Sequence, residues 1–599
     1  MPSPPPADTG LYNLLWCEAL IDGLATAGVR RAVISPGSRS TPLVLACRRH
    51  ASMQCRLVLD ERAAAFFALG MARHRGEPIT LIATSGSAPA HWYPAVIEAA
   101  QSGLPLLLLS ADRPPELQQC GANQTVDQTR LFGHLVRGFF DPGPAQAGAE
   151  ALRFIRQLGR RAVQQALGTN PGPVHINLPL REPLLPAQWP PAAGGAPSPA
   201  HLPAEGAPFL PGDGPPPDPR QLQAIARRIS GRPGVILCGP MAADARFAQA
   251  VTALASRLGA PLLADPLSNL RFGDHLTAPQ DEGAADPPLL VRYDAWLRQP
   301  AFADRHAPTW ALQFGSPPIS KTLADWLERS GSELMLCAPR GDWPDPSHQA
   351  LAVSRADPRL LCLGLMEAAP APAAPEWLAD FLATEQRAAR IAAAEPARQP
   401  PEQRLIAELL ALLPPDATLF SGNSLPIRQL DWWSGRGDKP LRLFANRGAS
   451  GIDGNIATLL GLAAVAPAPV VGLIGDLATC HDLSALLCAQ GIDATLILLN
   501  NGGGGIFGYL PQRVLADFES FWLAPQRVDF AAAAQAFGVD YLAAPSLEQF
   551  RPALTEALAR PGVTLLEVAI DREHSQQRHT AYWQRVAQEA PATGGAELP

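Results

Sequence analysis

The chain has 599 residues, more than a single hydrophobic core organises, which predicts about three domains of roughly 150–200 residues each. Hydrophobic residues at 47% and charged residues at 17% describe folded domains rather than a disordered chain. A formal charge of −7 without a sustained Lys/Arg tract argues against a general nucleic-acid binder, and no apolar run approaches the ~20 residues of a membrane span. The opening Met1-Pro2-Ser3-Pro4-Pro5-Pro6 lacks the basic and apolar regions of a secretory leader, and the nine cysteines include no C-x-x-C pair. Both features point to a cytoplasmic chain with free thiols.

In chain order, Ala32-Val33-Ile34 reads as a short strand that delivers Ser35-Pro36-Gly37-Ser38-Arg39-Ser40-Thr41-Pro42 to its carboxyl end. Leu57-Val58-Leu59 reads as a second strand, followed after Asp60 by a helix that begins at Glu61. An acid in a first helical turn is ordinarily a partner for the helix dipole. Ile79-Thr80-Leu81-Ile82-Ala83 precedes Thr84-Ser85-Gly86-Ser87-Ala88. Leu106-Leu107-Leu108-Leu109 precedes Ser110-Ala111-Asp112-Arg113-Pro114, with Cys120-Gly121-Ala122-Asn123-Gln124 shortly after. Strands alternating with helical patterns predict an α/β fold with a doubly wound parallel sheet over residues 1–185.

Proline-rich composition predicts a linker over 186–218, running through Pro190-Pro191, Pro197 and Pro215-Pro216-Pro217. A central α/β domain is expected over 219–368, its first strand at Gly234-Val235-Ile236-Leu237-Cys238. A linker and helix over 369–402 contain a further proline cluster at 396–401, and a third α/β domain occupies 403–599. In the central region, Gly315-Ser316-Pro317-Pro318-Ile319-Ser320-Lys321-Thr322 approaches the phosphate-loop pattern G-x-x-x-x-G-K-[ST]. Ser320 replaces its second glycine, and two prolines remove amide donors that a phosphate cradle uses, so a nucleoside-triphosphate site is not expected there.

The third region carries Gly422-Asn423-Ser424-Leu425-Pro426-Ile427-Arg428 and Asn446-Arg447-Gly448-Ala449-Ser450-Gly451-Ile452-Asp453-Gly454. Val470-Val471-Gly472-Leu473-Ile474 reads as a buried parallel strand ending at Gly475-Asp476-Leu477, and Thr495-Leu496-Ile497-Leu498-Leu499 ends at Asn500-Asn501. The 24 residues between Asp476 and Asn501 suffice for one crossover, so both strands present an oxygen ligand at their carboxyl ends. One carboxylate, one amide oxygen and main-chain carbonyls suit Mg²⁺ (or Mn²⁺), leaving other positions for water and phosphate oxygens. Glycines 502–505 let backbone approach a diphosphate closely. Asp after Gly at a strand end is ordinarily a turn or cap, so the reading rests on order and spacing.

Together these motifs resemble the thiamine diphosphate enzymes, and within them the synthases of menaquinone and phylloquinone biosynthesis. The resemblance covers roughly residues 10 to 575. It implies three doubly wound parallel-sheet domains: pyrimidine-binding, central and diphosphate-binding. It implies thiamine diphosphate as cofactor, with Glu61 bonding the aminopyrimidine N1′ and Asp476, Asn501 and the Gly503 carbonyl as metal ligands. Pro36, Gly86, Ile452, Gly475, Leu477, Gly504 and Ile506 are implied as further cofactor contacts, Ile452 supporting the bent cofactor. The implied reaction decarboxylates 2-oxoglutarate and adds the succinyl carbanion to isochorismate in a 1,4-addition. Arg428 and Arg447 are then expected at the distal carboxylate of 2-oxoglutarate, and Arg39, Arg113 and Lys321 at the carboxylates of isochorismate. Ser38, Gln124 and Ser424 are further polar contacts.

Some relatives carry an arginine where this chain has Thr322. Asn500 reads as a turn residue, and His481 and Asp482 as helix-start residues rather than an acid–base pair. The family's pairing of Glu61 with Asp476 of a neighbouring subunit implies a homodimer or homotetramer. The alternative is another thiamine diphosphate-dependent 2-oxo acid decarboxylase, or a carboligase like acetohydroxyacid synthase, which shares Glu61, Asp476 and Asn501 but not the arginine-bearing strings. A non-catalytic descendant would lack the glutamate or a metal ligand, and neither is missing.

Overall fold

The computed structural model describes residues 8–189, 214–277, 287–395 and 398–589. Met1-Pro2-Ser3-Pro4-Pro5-Pro6, most of the expected 186–218 linker and the start of the 396–401 proline cluster lie outside the described residues. Three six-stranded sheets, parallel throughout, follow one another along the chain.

The first sheet contains β1 (Arg31–Ile34), β2 (Gln54–Leu57), β3 (Ile79–Ala83), β4 (Leu106–Asp112), β5 (Gly138–Phe140) and β6 (Val174–Pro179), in the order 2-1-3-4-6-5. The second contains β7 (Gly234–Cys238), β8 (Leu262–Ala264), β9 (Leu289–Leu290), β10 (Trp310–Phe314), β11 (Glu333–Cys337) and β12 (Ala350–Ser354), in the order 12-11-10-7-8-9. The third contains β13 (Thr418–Ser421), β14 (Arg442–Ala445), β15 (Val470–Gly475), β16 (Ala494–Asn500), β17 (Asp540–Ala544) and β18 (Val563–Ala569), in the order 14-13-15-16-18-17. The outer sheets therefore share one topology, whereas the middle one winds outward both ways from its first strand, as dinucleotide-binding sheets do.

The central strands are apolar runs because both of their faces are covered. Every residue of β3 and β4 is buried, as is each of Val470 to Ile474 in β15. Four hydrophobic clusters fill the spaces. One lines the outer face of the first sheet, and the next is shared between the first and third sheets. Another is shared between the third and second sheets, and the last covers the far face of the second. The third sheet is thus sandwiched between the other two, although it comes last in the chain.

The contact between the first and third sheets sets the position of Glu61. Asp60 starts the helix Glu61–Arg75 by accepting the Arg62 and Ala63 N–H groups. That helix crosses Asn455–Ala463 at close range: a Cβ on Gly70 would lie 2.1 Å from the Thr458 carbonyl oxygen, and one on Gly461 2.0 Å from that of Phe67. All nine cysteines are free thiols. Among the described residues, no helix is long and apolar enough to cross a membrane.

Candidate active site

In the third sheet, β13 and β15 are neighbours, and the helices that follow them lie on opposite faces. Ile427 and Leu430 of Leu425–Trp433, after β13, pack toward the second sheet, whereas Ala478 of Asp476–His481 and Ala485 and Leu486 of Leu483–Ala489, after β15, pack toward the first. This reversal opens a crevice at the carboxyl ends of the strands, the usual ligand site of an open α/β sheet. Gly422-Asn423-Ser424 leaves β13 there, Gly475-Asp476-Leu477 leaves β15, and Asn501 to Gly504 leave β16.

Asp476 is buried at the start of the helix Asp476–His481. Its Oδ1 accepts the Leu477 N–H at 2.9 Å and its Oδ2 the Gly503 N–H at 2.6 Å. Burial pushes its carboxyl pKa up, against the pull of these amide bonds. Asn501 Oδ1 is buried with no hydrogen-bond partner. An orphaned acceptor beside a buried carboxylate is costly unless a cation or donor completes it. The Gly503 carbonyl accepts one bond, from Gly505 N–H at 2.8 Å, which leaves a second lone pair. Among the described residues no cluster of three His, Cys, Asp or Glu could hold a metal, so a cation here would rely on amide and carbonyl oxygens. This donor set fits Mg²⁺.

The loop is built from backbone. A Cβ on Gly503, whose φ is 130°, would lie 2.2 Å from the Leu523 carbonyl oxygen, and one on Gly504 2.5 Å from that of Trp522. Around Gly475 nothing lies within 4 Å of where a side chain would start, which leaves space beside the strand end. Ile506 lies in the following 3₁₀ turn, Gly505–Tyr509. Asn500 makes a turn, its Oδ1 accepting the Gly502 N–H at 3.2 Å.

Arg428 and Arg447 meet beside these strand ends. Burial lowers the Arg428 pKa, and the Arg447 charge lowers it further. Arg428 donates to the Ser424 carbonyl at 2.7 Å and Arg447 to Asn423 Oδ1 at 2.8 Å. Ser424 holds φ 72° and ψ −125°, a strained conformation for a residue with a side chain. Ile452 is 39% exposed at the end of the same loop as Arg447.

A second group forms at the carboxyl ends of β1, β3 and β4. Arg39 is buried and donates to the Leu180 carbonyl at 2.8 Å and Glu182 Oε1 at 2.7 Å. Arg113 donates to the Ser85 hydroxyl, and its pKa is lowered by burial and by the Arg39 charge. Gln124, at φ 55°, donates to the Ser85 carbonyl at 2.9 Å. A Cβ on Gly86 would meet Gln124 Cγ at 2.8 Å. Pro36 and Ser38 are exposed beside them. Glu61 is half-buried at the first turn of its helix.

Lys321 does not join either group. It is 85% exposed and pairs with Asp325 at 2.6 Å, at the start of the helix Lys321–Ser330. The loop before it is a packing element: a Cβ on Gly239 would lie 1.7 Å from the Ser316 carbonyl oxygen. His481 ends its helix rather than starting one, whereas Asp482 stands at the cap position that starts the 3₁₀ segment Leu483–Ala489. Asp482 is fully buried, accepting the Ala457 N–H at 2.9 Å and pairing with Arg62 at 3.4 Å.

Three residues around Arg447 were given no role by the sequence, although Asn423 lies in one of its motifs. Asn423 bonds it directly, and Asp265 and Glu98 attract it from the second and first sheets. A charged residue inside the apolar stretch Ala95-Val96-Ile97-Glu98-Ala99-Ala100 was the available signal for Glu98.

Residues 16–131 match the family described as "Thiamine pyrophosphate enzyme, N-terminal TPP binding domain", 219–421 "Middle domain of thiamine pyrophosphate", and 430–568 "Thiamine pyrophosphate enzyme, C-terminal TPP binding domain". The chain is 45% identical over 562 residues to the 2-succinyl-5-enolpyruvyl-6-hydroxy-3-cyclohexene-1-carboxylate synthase of Dechloromonas aromatica (strain RCB), covering 94% of this chain and 99% of that protein. Proteins of the same name from Geobacillus kaustophilus (41% identical; 96% and 98% covered) and Myxococcus xanthus (40%; 96% and 97%) are also similar. Benzoylformate decarboxylase from Polynucleobacter necessarius shares the fold, with TM-score 0.67 at 17% identity over 93% of this chain and 98% of that one. The chain therefore belongs to the 2-succinyl-5-enolpyruvyl-6-hydroxy-3-cyclohexene-1-carboxylate synthase family of thiamine diphosphate enzymes.

Proposed function

We propose that the protein decarboxylates 2-oxoglutarate and joins the resulting succinyl unit to isochorismate, releasing CO₂, with thiamine diphosphate and Mg²⁺ (or Mn²⁺) as cofactors. The observation that carries this reading is the partly buried pair Arg428 and Arg447 beside the strand ends that bear Asp476 and Asn501. Two guanidinium groups that burial and mutual repulsion disfavour gain most from a carboxylate, which each can grip bidentately.

Thiamine diphosphate, when bound, supplies the carbanion-stabilising chemistry that decarboxylation needs. Asp476, Asn501 Oδ1 and the Gly503 carbonyl would hold the metal that neutralises the diphosphate, with Gly475, Leu477, Gly504 and Ile506 around it. Glu61 would hold a proton at the aminopyrimidine N1′, with Pro36, Gly86 and Ile452 lining the rest of the cofactor. Arg428 and Arg447, with Ser424, would bind the distal carboxylate of 2-oxoglutarate. Arg39, Arg113, Ser38 and Gln124 would receive the carboxylates of isochorismate, and an incoming carboxylate would compete with Glu182 for Arg39. Lys321 would join them only on leaving Asp325. A homodimer or homotetramer, pairing Glu61 of one copy with Asp476 of another, would complete the site. The exposed Leu57 and Leu59 beside Glu61 support a covering partner, since each is more than half exposed.

The test is a coupled assay with purified protein, thiamine diphosphate, Mg²⁺, 2-oxoglutarate and isochorismate, the product being identified by mass. CO₂ release from other 2-oxo acids in preference to 2-oxoglutarate would instead favour a different decarboxylase of the same fold.

A further inference from the structure

Arg447 lies on a loop gripped from another part of the chain. Glu98, on the helix Tyr93–Ser102, is 2% exposed, and its carboxylate collects four donors. Its Oε1 accepts the Gly448 N–H at 2.9 Å, Arg73 Nη2 at 2.8 Å and the Ser102 hydroxyl at 2.8 Å. Its Oε2 accepts the Ala449 N–H at 2.6 Å. Gly448 and Ala449 directly follow Arg447 in the chain. The fit is close: a Cβ on Gly448 would lie 2.7 Å from the Glu98 carbonyl oxygen and 2.8 Å from Ser102 Oγ. Arg73 sits on the helix that begins with Glu61, so the same carboxylate links that helix to the Arg447 loop.

Resting on the reading of Arg447 as a carboxylate-binding residue, we infer that Glu98 is a positioning residue that fixes how far the Arg447 guanidinium reaches toward the distal carboxylate of the 2-oxo diacid. Two adjacent main-chain N–H groups on one carboxylate hold a loop in both position and direction. Arg447 is held at its other end by Asn423, and the Asp265 carboxylate attracts it from the second sheet. Its reach is therefore set by all three sheets at once. A glutamine at position 98 offers a single oxygen and turns an N–H toward the main-chain N–H of Gly448 or of Ala449.

Glu98→Gln should raise the Michaelis constant for 2-oxoglutarate about 10- to 100-fold, the range for losing a charge-assisted bond. Turnover at saturation, the Michaelis constant for isochorismate and the dissociation constant for thiamine diphosphate should change less than about threefold, within the scatter of a site left otherwise intact. A purely structural loss lowers the active fraction, and so turnover, while leaving that Michaelis constant in place. Gly448→Ala displaces the loop without touching the carboxylate and should give the same selective loss. It decides the matter if Glu98→Gln does not fold. An unchanged Michaelis constant for 2-oxoglutarate in the folded variants, or an equal weakening for both substrates, overturns the assignment. Wild-type protein is measured first: if it consumes no 2-oxoglutarate, the function proposed above falls, and the role of Glu98 falls with it.

Discussion

The Gly503 N–H donates to Asp476 Oδ2 at 2.6 Å, tying the loop after β16 to the end of β15 before any ligand is considered. Asp476 is thus both a candidate metal ligand and the anchor of the backbone expected to approach the diphosphate. Asp476→Ala should abolish tight thiamine diphosphate binding, because the proposed metal would lose its carboxylate ligand and the loop would be released. Calorimetric titration with and without Mg²⁺ checks this. Unchanged, metal-dependent affinity in the variant would place the metal elsewhere, and chelation of the wild type should mimic the substitution.

Glu61→Gln should keep the fold and much of the cofactor affinity. Glu61 makes no helix-capping bond, since Asp60 performs that role. Turnover should fall by roughly 10²–10⁴-fold, the range for a positioned proton-transfer group. Near-normal turnover would remove Glu61 from its proposed role.

The helix crossing at Gly70 and Gly461 leaves no room for a methyl group. Gly461→Ala would drive a Cβ to 2.0 Å from the Phe67 carbonyl oxygen, within a contact made by backbone on the facing helix. Such overpacking typically costs about 1–3 kcal/mol. Denaturant unfolding should show that loss, and because the same crossing positions Glu61, turnover should fall as well. Stability equal to the wild type would mean that the helices separate freely.

Burial pushes the Asp482 carboxyl up to about 6 from its usual 3.8. The folded protein therefore takes up this proton before the unfolded chain does. The group's contribution to stability is fullest below pH 3.8 and is lost as pH rises through 6. Asp482→Asn removes this titration. Thermal melts at several pH values between about 4 and 8 should show the wild type gaining on the variant as pH falls. A flat difference, or one of the opposite sign, would count against it.

The roles proposed for the two groups of basic residues separate two stages of the reaction. Arg428→Ala and Arg447→Ala should impair CO₂ release from 2-oxoglutarate even when isochorismate is absent. Arg39→Ala and Lys321→Ala should leave that first stage largely intact and raise the Michaelis constant for isochorismate. Single-turnover CO₂ measurement with 2-oxoglutarate alone separates them. If Lys321→Ala blocked decarboxylation while Arg428→Ala did not, the substrate layout would be reversed.

The strands buried on both faces were legible in the sequence because such a strand must be an apolar run, whereas the largely exposed β2 runs Gln54–Leu57 and meets the expected Leu57-Val58-Leu59 only at Leu57. Val470-Val471-Gly472-Leu473-Ile474 and Thr495-Leu496-Ile497-Leu498-Leu499 announced β15 and β16, and hence the strand-end positions of Asp476 and Asn501. Burial pattern and turn chemistry act over a few residues, so they can be read locally. The helix starting at Glu61 was equally legible from Asp60 and the following alanines.

Contacts between distant segments depended on the tertiary structure. Glu98 and Gly448 are 350 residues apart, and no local propensity links them. Their bond exists because the helices of the first and third sheets pack face to face through Gly70 and Gly461. The same packing buries Asp482, and the sandwiching of the third sheet draws Asp265 toward Arg447. The resemblance of the motifs to the thiamine diphosphate enzymes implied which residues could bind anions. Which of them meet, and which, like Lys321, instead pair within their own helix, followed from how three separately encoded sheets stack, since the partner of a polar group is set by whatever surface is pressed against it.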